Sequence, residues 1–150
     1  MLNLAELMQA SPYHRWLGVR LTKAEDGMVE VYLPYRAEFN GDDETPYIHG
    51  GIIAALIDLA ACFAVSSVTQ KDAPTLDLRI DYLRMAGENT DLIATAHTVK
   101  VGRTTGLADV EVKTPEGRLI AVGRTSVIIQ VVSRDVLTQT NTAGTPPPTS

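Results

Sequence analysis

Cysteine, aromatic rings and cations are all in short supply in this 150-residue chain. The single cysteine, Cys62, excludes an intramolecular disulfide and removes one reason to expect export. Aromatic residues make up only 5%, which gives no hint of a stacking platform. Thirteen Lys and Arg stand against eighteen Asp and Glu, for a net charge of −5. That balance argues against broad electrostatic binding to nucleic acid or an anionic membrane, although a local basic patch can still hold a small anion. The longest apolar run, residues 52–65, is interrupted by Asp58 and falls short of the roughly 20 residues that span a bilayer. Residues 1–10 lack the basic start and apolar core of a signal peptide. A cytoplasmic location is the expectation.

What is present reads as one domain. Hydrophobic residues at 45% and charged residues at 21% are globular values. The domain is expected over residues 1–135, opening with a helical segment over 1–14 in which Leu4, Leu7 and Met8 recur at helical spacing. Residues 136–150 contain three consecutive prolines and no periodicity, and are expected to form a disordered tail. Between them, strand alternation dominates. Val29, Val31 and Leu33 follow an Asp26-Gly27 turn, predicting a hairpin with residues 17–23. Leu76, Leu78, Ile80 and Tyr82 alternate with Asp77, Arg79 and Asp81, predicting a half-buried strand. Residues 91–101 and the alternation of Ala108, Val110 and Val112 predict two more. A Thr114-Pro115-Glu116-Gly117 turn then leads into a last strand over 119–131. One segment breaks this pattern: residues 50–69 are apolar nearly all round, as in a helix buried on most faces. Strand, strand, long helix, four strands is the order of an α+β fold with an antiparallel sheet wrapped around a central helix.

Asp58 lies in the middle of that apolar helix, between Ile57 and Leu59. A carboxylate there is solvated at a cleft, paired or desolvated, and such groups are enriched at functional sites. His49-Gly50-Gly51 precedes the helix. Two glycines let a ligand approach the backbone, and free N–H groups at a helix start suit an anion or a polarised carbonyl oxygen. Gly50 and Asp58 are eight residues apart, about 12 Å along one helix, too far to act on one carbonyl. Cooperation between them therefore requires a dimer with antiparallel helices and two equivalent sites.

His49-Gly50-Gly51, the acidic residue nine positions after the histidine, and Thr75-Leu76-Asp77-Leu78-Arg79-Ile80-Asp81-Tyr82 together resemble the PaaI-like hotdog-fold acyl-CoA thioesterases. The resemblance covers roughly residues 17–131. It implies a hotdog fold, hydrolysis of an acyl- or aryl-CoA thioester, and a dimer that pairs into a tetramer. It also implies that Asp58 acts as general base or nucleophile, that the Gly50 N–H polarises the carbonyl, and that His49 orients the loop. Thr75 would position the water. Asn40 matches the asparagine that precedes the motif, here across a longer acidic loop over 41–46, although Asn40-Gly41 also fits a plain turn. Gly51, Arg103, Arg84 and Lys100 are the candidates for holding substrate and the CoA phosphates.

The chemistry agrees with these parts, since thioester hydrolysis needs a donor for the developing oxyanion and a group to activate a nucleophile. No cofactor is implied, CoA being part of the substrate. His14, His49 and His97 show no metal-ligand spacing with one another or with Cys62, which reads as a core residue. The stretch 102–106 lacks the ending of a phosphate loop, and Ser66 and Ser67 have no nucleophile-elbow motif. The alternative is a non-catalytic acyl-CoA-binding module or regulator on the same scaffold.

Overall fold

The structure is a computed structural model, and it describes residues 1–129. The expected tail, 136–150, lies outside the described residues. Two short helices come first, α1 (Leu4–Ala10) and α2 (Pro12–Leu17), each capped by a side chain: Asn3 accepts from Glu6 N–H and Ser11 from His14 N–H. They are followed by the strands β1 (Arg20–Glu25) and β2 (Met28–Leu33), the helix α3 (Gly50–Thr69), and β3 (Thr75–Tyr82), β4 (Leu92–Val101), β5 (Thr105–Lys113) and β6 (Leu119–Ile128). The strands form one antiparallel sheet in the order β1-β2-β4-β5-β6-β3, so β1 and β3 are its edges. This is the hotdog arrangement, and it agrees with the order read from the sequence. The N-terminal helical segment, expected over 1–14, runs three residues further, through Leu17.

The core lies between α3 and one face of the sheet. Val29, Val31, Leu33, Val110 and Val112 meet Leu56, Ile57 and Val65 there, all buried. Small residues on that face let the helix sit close: Ala94, Ala96, Ala108 and Ala121 are fully buried, and a Cβ on Gly123 would stand 2.6 Å from Ile57 Cγ2. The helix spans Gly50–Thr69, as the apolar segment 50–69 predicts, with glycines and hydroxyl residues extending the 52–65 run at its two ends without adding charge. By length and composition alone it could cross a membrane, but 56% of its most apolar stretch is buried inside the fold.

A β-bulge at Leu76 corrects the reading of β3. Thr75 pairs with Val127 and Asp77 with Ser126, which leaves Leu76 unpaired and 53% exposed. Side chains alternate faces along a strand, so Thr75 and Leu78 would ordinarily point to opposite sides. One extra residue restores them to the same side, and Thr75, not Leu76, joins Leu78, Ile80 and Tyr82 on the face toward α3. The strand is also less covered than expected, with Tyr82 52% exposed.

Candidate active site

The site begins where α3 begins. His49 is its N-cap, and its Nδ1 accepts the Gly51 N–H at 2.8 Å. The neutral ring consequently carries its proton on Nε2. The Gly51 N–H, a candidate for binding substrate, is thus already bonded. Among the described residues no acceptor is hydrogen-bonded to the Gly50 N–H. That amide is the free donor at the positive end of a 20-residue helix.

Asn40 reaches this point in spite of the long loop. His49 N–H donates to Phe39 C=O and Gly41 N–H to Tyr47 C=O, each at 2.8 Å, so Asn40 pairs across from Ile48. The acidic segment 41–46 is pinched off as an excursion, and its length does not move Asn40 away. Tyr35 O–H donates to Asn40 Oδ1 at 3.1 Å, which directs the amide and leaves its NH₂ group free to donate.

Asp58 lies on a different part of the helix. The bulge aims Thr75 at it, and the Thr75 hydroxyl donates to Asp58 Oδ1 at 2.5 Å. Cys62, one turn along α3, places its Sγ 3.2 Å from the same hydroxyl oxygen. The Thr75 proton is engaged with the carboxylate, so the thiol is the donor in that second contact. Burial, with a smaller contribution from the Asp58 charge, pushes the Cys62 thiol up to about 11, and it stays protonated. Asp58 and Cys62 are half-buried, like Ala55, and Gly51 is exposed. At spacings of 51, 55, 58 and 62 they form the stripe of α3 that the sheet leaves uncovered.

The cations divide into two groups. Arg84 lies near Gly50: its Nη1 donates to Leu119 C=O at 3.0 Å, and it lines a groove of about 330 Å³ with Tyr47, Gly50, Ile53, Tyr82 and Met85. Lys100 and Arg103 are exposed at the β4–β5 connection, beside Gly106, whose Cβ would meet Val65 in the second half of α3. Val65 is fifteen residues from Gly50, about 22 Å along the helix. One chain therefore groups Arg84 with Gly50 and leaves Lys100 and Arg103 at the other end. Among the described residues no cluster of three or more His, Cys, Asp or Glu side chains could hold a metal ion.

Sequence reasoning missed Tyr82 and Cys62. Tyr82 O–H donates to Gly50 C=O at 2.7 Å. Its position as the single aromatic of β3 carried no signal, because the bond spans 32 residues. Cys62 could have been found from its i+4 spacing to Asp58.

Comparison with known proteins adds to this geometry. The family described as the thioesterase superfamily matches residues 45–121, which contain the helix start, Asp58 and Thr75. The human acyl-coenzyme A thioesterase 13 is 31% identical, over 79% of this chain and 85% of that protein. The medium/long-chain acyl-CoA thioesterase YigI of Escherichia coli is 28% identical, over 73% of this chain and 80% of its own. Among solved structures, a mutant of the phenylacetic acid degradation protein PaaI from Thermus thermophilus superposes with a TM-score of 0.72 at 30% identity, covering 80% of this chain and 100% of that one. The chain belongs to the thioesterase superfamily, as a PaaI-like hotdog thioester hydrolase with acyl-CoA thioesterase activity at the family level.

Proposed function

We propose that the chain hydrolyses an acyl- or aryl-CoA thioester to the free acid and CoA at sites shared by two copies of itself. The observation that carries this reading is Asp58, fixed by Thr75 on the uncovered stripe of α3 and about 12 Å along the helix from the free Gly50 N–H. A second α3 lying antiparallel along that stripe brings Asp58 of the partner subunit opposite Gly50, and two-fold symmetry makes the second site identical. The Gly50 N–H then polarises the thioester carbonyl and stabilises the oxyanion. Asp58 activates a water molecule or attacks the carbonyl itself, and the thiolate of CoA leaves. Thr75 holds the carboxylate and Cys62 backs the Thr75 hydroxyl, His49 holds the loop, and the Asn40 amide supplies a further donor beside it.

The same arrangement gives the distant cations a use. The partner helix continues past Asp58 toward Val65, about 10 Å beyond the Gly50 end. Lys100 and Arg103 of the partner subunit come to the side where Arg84 stands, and together they suit the CoA phosphates. CoA enters as part of the substrate, and two such dimers pair into the tetramer we expect in solution, to be measured by light scattering.

The test is release of free thiol from a panel of thioesters that includes phenylacetyl-CoA and medium- and long-chain acyl-CoAs. Asp58→Asn is expected to lower kcat by about a hundredfold or more while leaving the fold intact. Gly50→Pro removes the N–H at a helix position that tolerates proline, and Gly50→Ala keeps it while adding the same Cβ. Activity in the alanine variant and its loss in the proline variant assign the oxyanion donor. Wild-type rates in Asp58→Asn overturn the mechanism. A single turnover in ¹⁸O-labelled water bears on the two roles of Asp58. An unlabelled enzyme oxygen in the first product requires a mixed anhydride on Asp58 that water cleaves at the Asp58 carbonyl, an outcome that activation of water by Asp58 does not give.

A further inference from the structure

Gly50 presents a difficulty for an oxyanion donor. Glycine has no Cβ to restrict its backbone torsions, so the direction of its N–H is poorly fixed by local sterics. The peptide between Gly50 and Gly51 is nevertheless held from both edges by side chains. Its N–H donates to His49 Nδ1 at 2.8 Å, and its C=O accepts the Tyr82 hydroxyl at 2.7 Å. The Tyr82 ring also closes one side of Gly50: a Cβ there would lie 3.3 Å from three of its atoms. The preceding peptide, His49–Gly50, which carries the Gly50 N–H, is tied through its own C=O to the Ile52 N–H at 2.9 Å. What remains to be fixed is the Gly50 torsion between the two peptides, and the His49 and Tyr82 contacts fix its far side.

We infer that Tyr82 is a positioning residue for the reaction, clamping the Gly50–Gly51 peptide so that the Gly50 N–H is aimed before substrate arrives. The inference rests on the reading of Gly50 as the oxyanion donor. A preorganised donor contributes more to a transition state than one that must be oriented during the reaction. The strand β3 then serves both halves of the chemistry, with Thr75 at its start holding Asp58 and Tyr82 at its end holding Gly50. Tyr82→Phe keeps the ring against Gly50 and removes only the hydroxyl, whereas Tyr82→Leu removes both restraints.

The expected result for Tyr82→Phe is a fall of about tenfold in kcat, the scale of one lost hydrogen bond, with KM within about twofold and an unchanged melting temperature. Tyr82→Leu is expected to fall further. The decisive readout is the carbonyl stretch of a ¹³C-labelled thioester bound to the slow Asp58→Asn protein, read by isotope-edited vibrational spectroscopy. Polarisation by the Gly50 N–H shifts that band to lower frequency, and adding Tyr82→Phe is expected to shrink the shift. An unchanged shift overturns the clamp, whether or not kcat has fallen, as does a wild-type kcat in Tyr82→Phe. If Asp58→Asn itself shows no shift, Gly50 is not the donor and the underlying assignment is what fails.

Discussion

Thr75 can give its single hydroxyl proton to only one acceptor, and Asp58 takes it. The Cys62 thiol then completes the hydroxyl from the other side, provided the thiol keeps its own proton. Thr75→Ala is expected to lower kcat by about tenfold or more while Thr75→Ser retains most of it, as thiol release will show. The thiol also makes a pH prediction. Burial raises it from its ordinary 9.0 to about 11, so between those values the folded chain binds a proton that the unfolded chain has lost. Stability from this group is whole below about pH 9 and declines as pH rises toward 11, by at most about 2 to 3 kcal/mol. Thermal melts of the native protein and Cys62→Ala at pH 8 and pH 10.5 isolate the effect, since all other groups titrate alike in both. The native protein should lose more of its stability on going to the higher pH, and an equal loss in both overturns the assignment.

At the scale of elements, α3 and the sheet approach closely because side chains are missing where they meet. Gly123 on β6 faces Ile57, and its Cβ would stand 2.6 Å from Ile57 Cγ2 and 3.2 Å from the Arg79 carbonyl. Gly123→Ala, which would ordinarily help a strand, is expected here to cost about 1 to 3 kcal/mol, seen as a lower denaturation midpoint with unchanged slope. The order of these elements and the character of α3 were legible in the sequence, because periodicity reports which faces are buried. So was the glycine pair at the helix start beside a carboxylate on an apolar helix. The bulge was not, since an extra unpaired residue leaves composition and alternation looking regular over Leu76 to Tyr82. The pairing of Asn40 with Ile48 was hidden for a related reason: loop length says nothing of whether its ends are joined. Tyr82 was unreadable because its partner is a backbone oxygen, which any residue could have provided.

At the scale of the whole molecule, the two edges of the sheet differ. The β1 edge carries Arg20, Lys23 and Glu25, the kind of charged edge that discourages pairing. The β3 edge leaves Leu76 and Tyr82 about half exposed, next to the uncovered stripe of α3. An edge strand and a helix stripe left open on the same side are what a second copy would cover, and the proposed mechanism needs that copy because Gly50 and Asp58 of one chain cannot meet. Subunit mixing tests this directly. Asp58→Asn and Gly50→Pro proteins, each inactive alone, are combined in equal amounts and allowed to exchange. Half of the dimers then carry one subunit of each kind. In those dimers one site holds both defects, and the other pairs an intact Gly50 with an intact Asp58. One site in four becomes functional, so thiol release should recover to about a quarter of the native rate at equal subunit concentration. No recovery, with exchange confirmed by mass, would overturn the site shared between Gly50 of one subunit and Asp58 of the other.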